Sequence, residues 1–140
     1  MKINKISIDD ISLIKVSAGP GSFTGIRIGI ACALGLSTNH NIKIEYDNTL
    51  ESLSYNVKKK TDYIISMIDA KANRVYLSLV DFKNKTTIVN NVIIDIDMLI
   101  DMLNKYFLKK SINFTFVGDG TISYNKLLSE NLKIKYVIDK

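Results

Sequence analysis

Tryptophan is absent from this chain, and cysteine, proline and histidine occur once each. A single cysteine, Cys32, excludes an internal disulfide and fits a reducing compartment. A single histidine, His40, excludes the zinc-peptidase helix, which needs two histidines four residues apart. His40 sits in the polar stretch STNHN and reads as a surface turn residue. Arginine is scarce as well, with only Arg27 and Arg74, so scattered lysines carry most of the formal charge of +5. Lys58–Lys60 is the one run, and a solvated helix end accounts for it because cations suit a helix C-terminus. No basic stripe interleaved with aromatics appears, so direct binding of nucleic acid through the scattered lysines is the weakest of the readings. The longest apolar stretch, 26–36, is too short to span a bilayer and contains Arg27. The opening MKINKISIDD has no apolar core of the signal-peptide kind. A cytoplasmic protein with no membrane contact is expected.

What is present is a globular composition. Hydrophobic residues make up 46% of 140 residues, with no repeat or low-complexity tract. That length suits one domain, 1–140, large enough to fold without staples. Residues 12–18 read as a short strand, 25–37 as a helix and 41–47 as a second strand. Asn48 or Thr49 followed by Glu51 marks a helix start. The β-rich runs 62–69 and 74–82 flank AKAN and predict an antiparallel hairpin, with 86–94 as a third strand. Ile96, Leu99, Ile100, Leu103 and Phe107 fall on one face of a helix over 95–107. A strand at 113–120 ending in a turn, one helix over 122–131 and a short strand, KIKYVID, close the chain. Strands and helices alternating around a hairpin predict an α/β domain with a mixed sheet.

The stretch SAGPGSFTGIRIG, 17–29, carries two readings. As a phosphate cradle, a strand, a glycine turn and a helix N-terminus form an anion site. The Walker spacing is missing. The dinucleotide fingerprint is matched at Gly19 and Gly21, has Thr24 at its third position and reaches its last glycine one residue late, at Gly25. Glu45 and Asp47 stand where a ribose-binding acid would. Pro20, however, removes a backbone donor from the turn. As a packing device, Gly25, Gly29 and Ala33 recur every four residues and stack on one helical face. Ala31 and Gly35 form a parallel row. Glycine inside a helix costs up to ~1 kcal/mol relative to alanine, and close approach of a neighbouring segment would supply the reason. Ser22 or Thr24 can cap the helix. Arg27, in the first turn, is either an exposed or sheet-facing cation or half of a fixed ion pair.

The stretch GPGSFTGIRIGIACALGL resembles the signature of the bacterial TsaB (YeaZ-like) family, which assists threonylcarbamoyladenosine formation in tRNA. Three further segments are similar in order and spacing: LESL, IDAKANRVYLSL (with Lys71 where the family has arginine) and VGDGTISYNKLL. The resemblance covers about residues 8–130. It implies a partial actin-like/Hsp70-like ATPase (RNase H-like) fold with a mixed sheet. It also implies a chain lacking the family's first strands and most of its first helix. It implies a non-catalytic scaffold, with no cofactor, pairing with a TsaD-like catalytic subunit and also with itself. A TsaE-like ATPase belongs to the same complex. The signature residues Gly19, Pro20, Gly21, Ser22, Phe23, Thr24, Gly25, Arg27, Gly29 and Ala33 then become interface residues. The alternative reading is a nucleotide- or dinucleotide-binding enzyme domain using Gly19–Gly25.

The remaining polar residues suit structural roles. Asp69 ends a strand and Asp119 lies in a Gly-Asp-Gly turn; turns and caps are the common uses of aspartate. Asp95, Asp97 and Asp101 suit a helix N-terminus. Cys32 reads as a small core hydrophobe and Tyr76 as packed in the hairpin. No carboxylate pair, triad or metal set stands out, so no catalytic residue is expected.

Overall fold

The computed structural model describes residues 7–58 and 61–139. Lys59, Lys60 and the first six residues, on which part of the lysine-run and leader readings fall, lie outside them. The chain divides into two compact units, Met1–Thr49 and Leu50–Lys140.

The first unit opens with a 3-10 turn, Ile8–Asp10. Ser7 and Asp10 close it with a reciprocal capping box, which satisfies its free backbone donors. It continues with β1 (Leu13–Gly19), α1 (Phe23–Ser37) and β2 (Lys43–Asn48). β1 and β2 pair in parallel, from Leu13 opposite Lys43 to Ser17 opposite Asp47, with a shift before Gly19. The parallel pairing follows from α1, which serves as the crossover between them.

α2 (Thr49–Tyr55) leads into the second unit. There follow β3 (Tyr63–Lys71), β4 (Arg74–Asp81), β5 (Thr86–Asp95), α3 (Ile96–Phe107), β6 (Asn113–Val117), α4 (Asp119–Ser123), α5 (Asn125–Asn131) and β7 (Lys135–Asp139). The sheet order is β5-β4-β3-β6-β7. The two hairpin pairings are antiparallel and the two reached through helices are parallel. The expected mixed sheet, hairpin and third strand are all present.

β3 is central and buried along most of its length, as a strand covered on both faces must be. On one face Ile65, Met67, Phe114 and Phe116 meet Ile96, Leu99, Ile100 and Leu103 of α3 and Leu128 of α5. Phe114 stacks on Tyr63 and takes Phe107 edge-on. The other face carries Ser66, whose hydroxyl meets that of Ser54 in α2 at 2.6 Å. Two small hydroxyls satisfy each other there. The four predicted core positions of α3 are buried, and Phe107 packs at their margin.

One expected element needs correction. The helix read over 122–131 is two short helices, separated at Tyr124, whose φ of −108° and ψ of 17° leave the helical region. Helix formation starts earlier than expected, at Asp119 directly after Gly118. The reason is tertiary: Gly120 and Thr121 are buried against β3, and the Tyr124 hydroxyl donates to Asp69 at 3.3 Å.

Candidate functional site

The glycine turn joins β1 to α1. Gly19 is buried, with φ of 105°, and its peptide bond to Pro20 is cis. A β-carbon there would stand 3.0 Å from Cδ1 of Ile26. The positive φ is what requires glycine, since the contact would press only on the end of the Ile26 side chain. The Ser17 hydroxyl accepts from the Gly19 amide at 3.3 Å and meets the Thr49 hydroxyl at 2.5 Å. Ser22 is the helix cap, accepting from the Gly25 amide at 3.3 Å. Thr24, the other candidate cap, lies inside the helix instead.

A cleft of about 320 Å³ opens beside this turn, lined by Val16, Ser17, Pro20, Gly21, Ser22, Gly25, Ile26, Gly29 and Thr49. That lining is uncharged and mainly apolar. Ser22 already takes one of the amide donors that a phosphate would need. Glu45, a candidate ribose acid, is held by Lys43 at 2.7 Å and Lys15 at 3.6 Å. The hydrogen bond from Lys43 lowers its pKa below the ordinary glutamate value. The geometry therefore favours the turn as a structural device over the turn as a phosphate cradle.

The packing reading is refined by α1. Gly29 faces β1, where an added β-carbon would meet Cγ2 of Val16 at an ordinary 3.7 Å. Ala33 is buried. Gly25 approaches only its own cap, Ser22. The segment lying on the Gly29 side is thus the chain's own first strand. Arg27 stands 3.8 Å from the Phe23 ring centroid, as a cation–π pair on the surface.

The outer face of α1 is where the unexplained surface lies. Ile28, Ala31, Cys32, Leu34, Gly35 and Leu36 are exposed. Ile28 keeps 59% and Leu36 52% of their surface open. Nothing lies within 4 Å of a β-carbon built on Gly35. Cys32 is exposed and not the core hydrophobe expected. Of these residues the sequence reading singled out the Ala31–Gly35 row, and Cys32 only as a core residue. The signal for the rest was available: GIRIGIACALGL is apolar on nearly every side, and such a helix is normally covered all round.

A second polar cluster sits at the β3–β4 turn. Ala72 and Asn73 have φ of 51° and 58°, as a tight two-residue hairpin requires. The Asp69 carboxylate accepts from the Lys71 amide at 2.8 Å, from Lys71 Nζ at 2.7 Å and from the Tyr124 hydroxyl at 3.3 Å. Asp119 accepts from the Asp69 amide at 3.2 Å. These bonds tie the strained turn to the α4–α5 junction, a structural use for both aspartates. The bonds from Lys71 hold the Asp69 pKa below its ordinary value, while burial is the main reason the Tyr124 pKa rises. A group with a depressed folded pKa stabilises the fold above its unfolded pKa, near 3.8. That contribution is lost as pH falls through the lower folded value. Asp69→Asn is expected to lose about 2 kcal/mol at neutral pH, because a charged acceptor of several bonds is removed. The deficit should shrink at acid pH, once the pH has fallen through the depressed folded pKa and the wild-type carboxylate is itself protonated. Urea midpoints at the two pH values measure this, and an unchanging deficit would mean that the charge contributes nothing.

Among the described residues no group of three or more metal-capable side chains occurs, and no helix is long and apolar enough to cross a membrane. The family model described as TsaD, tRNA N6-adenosine threonylcarbamoyltransferase, matches residues 1–138. The TsaB protein of Bacillus subtilis, a tRNA threonylcarbamoyladenosine biosynthesis protein, is 29% identical over 126 residues, which are 90% of this chain and 54% of the relative. The TsaB of Buchnera aphidicola subsp. Schizaphis graminum is 33% identical over 134 residues, 91% of this chain and 60% of the relative. The chain thus spans little more than half the length of these relatives. A solved Pseudomonas aeruginosa structure, described as an uncharacterized protein similar to peptidase YEAZ, superposes with a TM-score of 0.69 at 18% identity, over 95% of this chain and 59% of that one. YeaZ from Pseudomonas aeruginosa superposes with a TM-score of 0.63, over 86% of this chain and 56% of that one. The fold they share is the α/β, actin-like ATPase fold. With the signature turn, the mixed sheet and the matched residues in agreement, the chain belongs to the TsaD family of tRNA N6-adenosine threonylcarbamoyltransferases and is a TsaB/YeaZ-like member of it.

Proposed function

We propose that this chain is a non-catalytic partner subunit in the threonylcarbamoyladenosine modification of tRNA, with α1 as its docking helix. One observation carries the reading: α1 exposes an apolar row with open space above Gly35. A helix face of that kind is stable in water only at a cost, and covering it with a second helix recovers the buried area. Gly35 and Ala31 let the covering helix come close, and Ile28 and Leu36 supply apolar contact. The signature residues from Gly19 to Ala33 contribute by setting the entry angle of α1 and by seating its inner side on β1. The occupant in this reading is a TsaD-type catalytic subunit, or a second copy of the chain where that subunit is absent. A TsaE-type ATPase joins through the complex, tRNA is met only through the catalytic subunit, and the whole acts in the cytoplasm. Residues 1–140 serve as one TsaB-like domain.

Ile28→Lys places a charge in the middle of the exposed face. It should leave the chain's own stability within about 0.5 kcal/mol, as surface changes do. It should weaken binding to the TsaD-type subunit of the same organism by about 100-fold, because an unpaired charge would be buried. Calorimetric titration of the purified subunits decides the matter. Unchanged affinity removes α1 from the interface, and threonylcarbamoyl transfer to tRNA by this chain alone overturns the non-catalytic assignment.

A further inference from the structure

Lysines that look scattered along the sequence are gathered by the fold of the second unit. β3, β6 and β7 all start at one end of the sheet, with Tyr63 beside Phe114 and Asn113 beside Lys135. β4 finishes at that end, where Asp81 lies opposite Tyr63, and the turn into β5 carries Lys83 and Lys85. α3 finishes there too, since Phe107 meets the Phe114 ring. Lys109 and Lys110 follow that helix directly. The Lys133 amide donates to Asn104, in the last turn of α3, at 2.7 Å. Lys135 opens β7. Six exposed lysines from three distant stretches of chain therefore share one end of the unit.

Protein surfaces normally mix charges of both signs. None of these six lysines is ion-paired with a described residue. The two acids at this end are engaged by asparagines. Asp62 accepts from the Asn113 amide at 2.9 Å and from its side chain at 3.4 Å. Asp81 accepts from the amide and the side chain of Asn84, both at 2.9 Å. Neighbouring strands lie about 4.8 Å apart, so the lysines span roughly 20 Å from the β5 edge to the β7 edge. One small anion cannot answer cations spread so widely, whereas an extended chain of phosphates can. Within the span lies a cleft of about 570 Å³, lined by Thr61, Asp62, Phe82, Lys83 and Asn113. Asp62 repels a carboxylate there but can accept from ribose hydroxyls and base amines. That favours RNA over an acidic peptide.

We propose that this lysine end of the second unit is an RNA-binding surface, which holds the phosphodiester backbone without reading base sequence. The surface follows from charge and topology; the identity of the RNA as tRNA rests on the functional reading above. It gives the chain a contact of its own with tRNA, where that reading routes tRNA through the catalytic subunit alone.

Fluorescence anisotropy of a labelled tRNA transcript with the purified full chain tests this. Affinity should fall about a thousandfold between about 50 and about 200 mM salt, as for some six phosphate contacts. Lys83→Gln together with Lys135→Gln removes one cation near each edge. That pair should weaken binding about tenfold and lower the salt slope by about two. Arg74→Gln together with Lys126→Gln removes the same charge from the opposite end, beside Asp95 and Asp97. That pair should change affinity by less than about twofold, because charges beyond a Debye length are screened. All four positions are exposed, so circular dichroism should not change. No binding near 50 mM salt, equal losses in the two double variants, or poly-glutamate competing as well as RNA of equal charge overturns the proposal. The measurement contains no catalytic subunit, so such a failure leaves the docking of α1 standing, and failure of that docking leaves this surface standing.

Discussion

Gly118→Ala should lower the stability of the second unit by about 4 kcal/mol or more, a large fraction of a typical domain's total. Gly118 has φ of 103° and ψ of 169°, a region essentially closed to residues other than glycine, where alanine is strained by ~1–3 kcal/mol. Its β-carbon would stand 2.2 Å from the carbonyl oxygen of Met67 and 3.2 Å from Cδ1 of Leu53. Met67 is fully buried in the central strand, so its backbone cannot retreat without disturbing the core, and overpacking adds a further ~1–3 kcal/mol. The strain falls on the start of α4, where the Thr121 hydroxyl donates to the Gly118 carbonyl at 2.7 Å. The control is Gly35→Ala, whose new methyl group meets nothing within 4 Å. That change should be neutral or should stabilise by up to ~1 kcal/mol, since alanine is the better helix former. Urea denaturation followed by circular dichroism compares the two. A Gly118→Ala protein within 1 kcal/mol of wild type, on the same scale, would show that the turn does not rest on Met67.

Hydrogen exchange of the isolated chain should be sharply uneven. Amides of β1 and β2 are expected to exchange about a thousandfold faster than those of β3 and β6, since exchange reports the local opening free energy. Burial supplies the reason. Among the described residues of the first unit, Ala33 is the one buried hydrophobic side chain. In the second unit Ile64, Ile65, Met67, Phe114 and Phe116 are at most 1% exposed. A two-stranded sheet with so little covered apolar area is marginal in water, whereas a central strand with both faces covered opens only with its whole unit. Adding the TsaD-type subunit should then protect α1, because covering its outer face stabilises the first unit. Equal protection in β1 and β3 of the isolated chain would contradict this account.

Much of the fold is legible in the residues. Ile96, Leu99, Ile100 and Leu103 repeat at helical spacing and are the buried face of α3. The runs on either side of Ala72–Asn73 form the hairpin. Local spacing fixes such features because each depends on neighbours within one or two turns. The α4–α5 break was not legible, because Tyr124 leaves the helix to reach Asp69, 55 residues earlier. At the candidate site, the turn and the helix after it were visible, but the orientation of that helix was not. Gly25, Gly29 and Ala33 lie in the same periodic pattern whichever side is covered, since GIRIGIACALGL offers apolar residues all round.

By itself the sequence determined the order of elements, the glycine that the β1–α1 turn requires, the core face of α3 and the family signature, all of which follow from short-range spacing and backbone chemistry. The tertiary structure alone decided that Gly29 rests on Val16 while Ile28 and Gly35 face outward, and that Met67 forbids a side chain at Gly118. Those outcomes depend on which distant strands meet, and burial is a property of that meeting rather than of any residue's immediate neighbours.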